Sequence, residues 1–200
     1  MRKLALFICA AVATAGFAHA QQIAQIDVAA GGSTLFSTKS ISSSAAFVPP
    51  PLSGGVYPSF SADVLLDNHF GFNAEGWFRY HAGTYAGFQR FRPVYYDVNG
   101  VYTRTISTKF RFDALAGVGG ESLIFYNQYL PCPLSGACQP QISATHLVLH
   151  LGGEVRYYPW RLKHLFVRPE AHYYRIIDNT EFYSGNILRM GASIGYSFTR

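Results

Sequence analysis

The residues able to do chemistry fall into a few groups whose spacing is informative. His146, His150 and Glu154 recur every fourth residue. On a helix that spacing gathers metal ligands on one face. On an extended strand, positions four apart are separated by about 13 Å, so one ion cannot be shared unless a neighbouring strand supplies a partner, and His172 is the nearest offer. No metal and no cofactor are expected on that basis. His172, Ser184 and Glu181 are the nearest pieces to a base, hydroxyl nucleophile and carboxylate. No motif orders them: Tyr173-Tyr174 follow His172, and catalysis is not expected. Gly117, Gly119 and Gly120 superficially suggest a phosphate loop, but no Lys-Ser/Thr completes it and no helix is expected after it. In a strand such glycines allow bending or leave room for a large neighbour such as Trp77. Cys132 and Cys138 close the run Pro131-Cys132-Pro133-Leu134-Ser135-Gly136-Ala137-Cys138. In an oxidising compartment this reads as a local disulfide clipping a loop. Two thiols without a nearby histidine make a thin metal site.

The N-terminus sets that compartment. Arg2 and Lys3 precede an apolar run over residues 4–17, and Ala18-His19-Ala20 puts small residues at the positions a signal peptidase reads. Residues 1–20 are therefore expected to be a secretory signal peptide and 21–200 the mature domain. The apolar run is shorter than the ~20 residues of a spanning helix. Cys9 lies within it and lacks the preceding small residues of a lipid anchor. Formal charge is +5, of which Arg2 and Lys3 carry two, and no Lys/Arg run follows that would suit nucleic acid.

Composition narrows the fold. Aromatics make up 16% of the chain and charged residues 14%, less charge than a soluble domain usually carries. After the signal, no apolar run approaches spanning length. Few charges, many aromatics and no spanning helix fit strands that alternate across a membrane. Eight segments of suitable length can be placed, at about 24–36, 56–66, 71–82, 91–105, 109–125, 143–158, 165–176 and 186–198. The connections at Asp67-Asn68-His69-Phe70, Ile106-Ser107-Thr108-Lys109 and Pro159-Trp160-Arg161-Leu162-Lys163-His164 are short. The others are mostly longer, including the Ser/Pro-rich stretch 37–55. Short turns at one rim and long loops at the other describe an all-β, eight-stranded antiparallel up-and-down transmembrane β-barrel.

Charge separates with period two. Phe72, Ala74, Gly76, Phe78 and Tyr80 oppose Asn73, Glu75, Trp77, Arg79 and His81; Leu147, Leu149, Leu151 and Tyr157 oppose His146, His150, Glu154 and Arg156. The same division runs through the other strands, least cleanly in the fourth, where Arg92 and Arg104 fall on the apolar face and must sit at its two ends. The expected interior is a charge network of Asp27, Asp63, Glu75, Arg79, His81, Asp97, Arg111, Asp113, His146, His150, Glu154, Arg156, Arg168, Glu170, His172 and Arg189. Its acids and bases are read as comparable in number, and an unpaired buried charge costs several kcal/mol. A barrel of this strand number is just filled by its own side chains. Phe70, Phe72, Phe110, Phe112, Tyr157, Trp160, Tyr196 and Phe198 are expected as an aromatic girdle near the short-turn rim. Tyr85, Phe88, Phe91, Tyr126, Tyr129 and Tyr183 are read as the outer girdle in preference to a recognition surface.

The final strand carries a family resemblance. Ile194, Tyr196 and Phe198 alternate toward an aromatic close, followed by Thr199-Arg200. This resembles the C-terminal strand of outer-membrane barrels, which the barrel assembly machinery reads. Strand count and loop pattern resemble the small OmpA-like barrels over nearly the whole mature chain. The resemblance implies residence in the bacterial outer membrane, with membrane lipid and the assembly machinery as partners and a structural or surface-interaction role. An extracellular ligand at the loops fits that role. The competing expectations are a lipid-A-modifying barrel enzyme, a narrow pore, or a soluble periplasmic barrel holding an apolar ligand.

Overall fold

The computed structural model describes residues 25–37, 52–66, 69–85, 89–126, 141–159, 164–178, 181–182 and 184–199. The expected signal peptide, the pair Cys132 and Cys138, and Phe88, Tyr129, Trp160 and Tyr183 lie outside them.

The strands are β1 (Gln25–Ser37), β2 (Tyr57–Leu65), β3 (Phe70–Phe78), β4 (Gly83–Tyr85), β5 (Gln89–Thr105), β6 (Phe110–Tyr126), β7 (Gln141–Tyr157), β8 (Leu165–Ile176) and β9 (Asn186–Thr199). Chain neighbours pair antiparallel except β3 and β4, β3 pairs with β5 instead, and β1 pairs with β9 from Gln25↔Thr199 to Ser37↔Ile187. The sheet therefore closes into an eight-membered ring in the order β1, β2, β3, β5, β6, β7, β8, β9, with β4 an added pairing on β5. Closure removes the open edges that an isolated sheet must protect.

The third strand ends earlier than its alternation predicts, and Pro93 supplies the reason. Arg79 N donates to Pro93 O at 3.1 Å, but Pro93 has no N–H to return the bond, and Tyr80 N turns to Val56 O at 2.9 Å. His81 follows this break and is exposed, so its expected place in the interior is corrected: the ladder that would have fixed its direction has already ended.

Along β7 the outward residues from Leu147 to Tyr157 span ten positions. At ~3.3 Å per residue and a tilt near 40°, they cover about 25 Å, the height of a lipid-facing band. Leu151, in the middle of this run, is 59% exposed. Phe70, Phe72, Phe110, Phe112, Tyr157, Tyr196 and Phe198 are all exposed toward the short-turn rim. Phe110 lies against Tyr157 with ring centres 5.1 Å apart, and Tyr196 lies against Phe198 at 4.8 Å.

The interior has two layers. Charged and amide side chains occupy the half toward the short turns. Aromatic and aliphatic side chains fill the half toward the long loops: Trp77 stacks on Tyr95 at 3.7 Å, with Tyr57 edge-on at 5.5 Å and Leu35, Leu123 and Ile187 around them. Above these, Phe91, Phe125 and Phe182 form a buried cluster with Tyr85 packed against it. Phe91 is thus no girdle residue. It shares the inward parity of Tyr95 and Asp97, and the alternation of β5 carries it inside.

Candidate functional site: the charged interior

Each side chain of the network is aimed inward by strand parity, and no loop is needed to position it. At its base Arg156 of β7 donates to three carboxylates: Asp27, Asp63 at 3.1 Å and Asp113 at 2.5 Å. Asp113 also accepts from Thr103 Oγ1. Arg168 links the next level, with Nη1 3.3 Å from Asp63 and 3.2 Å from Glu154, Nη2 3.4 Å from Glu170, and further bonds to Ser61 and Ser193. Arg189 then joins Glu170 at 2.9 Å to Glu75 at 2.6 Å, and its guanidinium lies 5.1 Å from the Trp77 ring. This cation–π contact is where the charged layer meets the aromatic one.

A second chain of bonds crosses between these levels, and its direction follows from donor inventory. Asn73 Nδ2 donates to Asp63 at 2.6 Å, and Asn99 Nδ2 donates to Asn73 Oδ1 at 2.9 Å and to Asp97 at 2.5 Å. Asn99 Oδ1 is therefore an acceptor, and His150 Nδ1, 2.6 Å away, must be its donor. In the tautomer assigned to this pair, His150 Nε2 is the acceptor for His172 Nδ1, 2.8 Å away. Gly152 stands opposite His172 in the β7–β8 ladder, and a Cβ there would come 2.5 Å from His172 Nδ1. The imidazoles meet because that position has no side chain.

Of the residues expected in the interior, Asp27, Asp63, Glu75, Asp97, Asp113, His150, Glu154, Arg156, Arg168, Glu170, His172 and Arg189 are buried in it. Arg111 is half-buried and donates to Gln25 Oε1 at 2.8 Å. Arg79 is half-buried at the long-loop end, 5.5 Å from the Phe91 ring. His146 is at the same end, with Nε2 3.0 Å from Glu181 Oε2. That contact separates the would-be catalytic pieces: Glu181 faces His146, while His172 lies deep among Glu154, Glu170 and His150.

Glu121 is the charged residue the sequence reading missed. It is buried and accepts from Tyr95 Oη at 2.5 Å. Its parity matches that of Asp113, a signal the intervening run from Gly117 to Gly120 obscured. Those glycines also serve a different neighbour than expected. A Cβ at Gly117 would strike Asn99, and one at Gly119 would strike Asp97, so they clear space for β5 residues and not for Trp77.

The balance of charge is corrected as well. Among the described residues the buried carboxylates are Asp27, Asp63, Glu75, Asp97, Asp113, Glu121, Glu154 and Glu170, eight in all, against the guanidinium groups of Arg156, Arg168 and Arg189. The whole sequence has 11 acids and 16 Lys and Arg. Eight of the 11 acids are thus inside, whereas among the described residues seven of the ten Lys and Arg are not. Arg90, Arg104 and Arg175 are exposed at strand ends, and Arg92 is half-buried near the long-loop end.

No family model matches this sequence, and no curated protein matches it either. Solved structures do match its fold. Ail, the attachment invasion locus protein of Yersinia pestis, superposes with a TM-score of 0.59 at 11% identity, covering 88% of this chain and 100% of that one. The N-terminal β-barrel domain of Pseudomonas aeruginosa OprF gives 0.57 at 10% identity, over 88% and 98% of the two chains. Neisserial surface protein A gives 0.55 at 14% identity, over 88% and 96%. Closure, strand number and these likenesses agree: the chain has the fold of the small eight-stranded outer-membrane β-barrels.

Proposed function

We propose that this protein resides in the bacterial outer membrane as a closed, non-catalytic barrel with a structural and surface-presenting role. The observation that carries the reading is the Arg156–Asp63 ion pair. β7 lies four places from β2 in either direction round the ring, so this one contact crosses the full width of the lumen. That contact supports a lumen plugged at this level, and the aromatic layer nearer the long loops supports the same reading. The apolar outward band supports lipid as the surroundings, and β9, with Ile194, Tyr196 and Phe198 outward, is the strand the assembly machinery would take. Two measurements test this. Envelope fractionation followed by detergent gels of heated and unheated samples should give a membrane-bound, heat-modifiable band. Planar bilayers containing the purified protein should stay silent, and steady unitary currents would replace the reading with a pore.

Charge sorting favours anionic partners at the surface. With most acids held inside, the long-loop end carries Arg90, Arg92 and Arg175. Ail was solved with the heparin analogue sucrose octasulfate, so this scaffold is compatible with sulfated ligands. Retention on a heparin column that falls with salt, and falls further in an R90Q/R92Q/R175Q variant, supports such a partner. Retention unchanged in the variant removes it.

A further inference from the structure

We propose that Glu154, His172 and Glu170 form a binding site for one divalent transition-metal ion, with zinc the best-suited ion, inside the barrel. The donor atoms of these three side chains lie within 4.8 Å of one another. All three residues are buried, with His172 at 0% and Glu154 at 1% exposure.

The bonding around His172 points to a ligand. In the tautomer in which its Nδ1–H donates to His150, 2.8 Å away, Nε2 carries a lone pair. That lone pair faces Glu154 Oε1 across 3.6 Å. With this tautomer and an ionised Glu154 both atoms are acceptors, and neither has a hydrogen-bond partner among the described residues. Two acceptors facing each other in a dry interior repel unless a cation lies between them. Ligand atoms ~2.0–2.2 Å from a tetrahedral zinc lie about 3.4 Å apart, close to the spacing observed.

The surroundings fit as well. A histidine that binds metal through one nitrogen usually donates its other N–H to a fixed acceptor, and the His150–Asn99 chain provides this for His172. Arg168 approaches Oε2 of both Glu154 and Glu170, so Oε1 of Glu154 keeps its lone pairs for an ion. Glu170 bonds Arg189 and Ser193 and is the weaker third donor. The excess of buried carboxylates over guanidinium groups supplies the electrostatic demand for a bound cation. The fourfold spacing of His150 and Glu154 cannot hold an ion on one strand. Pairing of β7 with β8 brings His172 diagonally beside Glu154 and makes the site.

The test uses the full mature chain, folded into detergent with zinc or with EDTA, then desalted and analysed for metal by mass spectrometry. One zinc per chain is expected in the wild type, with loss in H172Q and E154Q and retention in E121Q, whose carboxylate lies in the other layer. Cobalt offered during folding gives a second readout that needs no variant: ligand-field absorption in the visible is expected. Folded wild-type protein that holds neither metal would overturn the proposal and assign the gap to a shared proton. Equal zinc in wild type and a folded H172Q would overturn it by placing the metal elsewhere.

Discussion

Arg156 of β7 and Asp63 of β2 meet at 3.1 Å although their strands face each other across the ring. The same guanidinium also holds Asp27 and Asp113. Each of these groups lost its water on folding, and mutual bonding is what offsets that loss. Replacing Arg156 with Met keeps much of the volume and leaves three carboxylates without their cation. Breaking a buried pair costs about 3–5 kcal/mol, and three partners place R156M at the upper end. Urea titration of the heat-modifiable band should show the midpoint falling sharply. A shift below about 1 kcal/mol, the size expected for an exposed pair, would show that the network is not structural.

Gly152 gives a sharper steric test. A Cβ at this position meets His172 Nδ1 at 2.5 Å and His150 Nε2 at 3.0 Å. Gly32, also in a strand, would place its Cβ in open space. G152A should therefore destabilise the barrel by roughly 1–3 kcal/mol, the usual range for overpacking, while G32A stays near neutral. The two variants share one chemical change, so equal midpoints would show that the imidazole contact is unimportant.

Strand parity made much of this legible in the sequence. With Phe72 outward, period two requires Asn73, Glu75 and Trp77 to point inward, and all three are buried. Parity fails where the ladder stops. His81 lies past the point where Pro93 returns no bond to Arg79, and its direction follows the local turn. Nor does parity give height along the barrel. Phe91 and Asp97 share a face, yet one enters the aromatic layer and the other the charged layer. Cross-lumen partners were equally hidden. Nothing in the spacing of residues 63 and 156 says that they touch, because that contact depends on strand stagger and closure. The acid excess stayed out of view because Arg79 and Arg111 share the inward parity but reach only the half-buried ends.

The outward face is tested at Leu151, which is 59% exposed in the middle of the β7 band. An arginine on the lipid face near the midplane costs about 2–4 kcal/mol in a membrane barrel. In water the same change at an exposed position is worth within about 0.5 kcal/mol. L151R should fold poorly into phospholipid vesicles while L151F folds like the wild type. Full folding of L151R, with recovery in the soluble fraction, would place water against this face.

Phe182 lies between β8 and β9. Its ring is 4.7 Å from Phe91 and 5.2 Å from Tyr85, and it is 3% exposed. Its neighbour Glu181 is tied to the same region, accepting from Tyr85 Oη through its carbonyl at 2.9 Å and facing His146 through its carboxylate. The Phe182 ring and the two Glu181 contacts thus fasten this connection at the long-loop end, whereas the ladder of β8 and β9 depends on none of them. F182A removes the largest contact, at a cost of about 3–5 kcal/mol if the site does not collapse. Because the loss is local, it should appear as local opening and leave global unfolding nearly unchanged. Glutamyl endopeptidase reads this directly, since Glu181 precedes Phe182. The wild type should resist cleavage there, and F182A should be cut while its band remains heat-modifiable. Equal resistance in both proteins would mean that Phe182 is not what holds the connection down. Collapse of the whole barrel in F182A would mean that the aromatic layer is part of the cooperative core and not a separable plug.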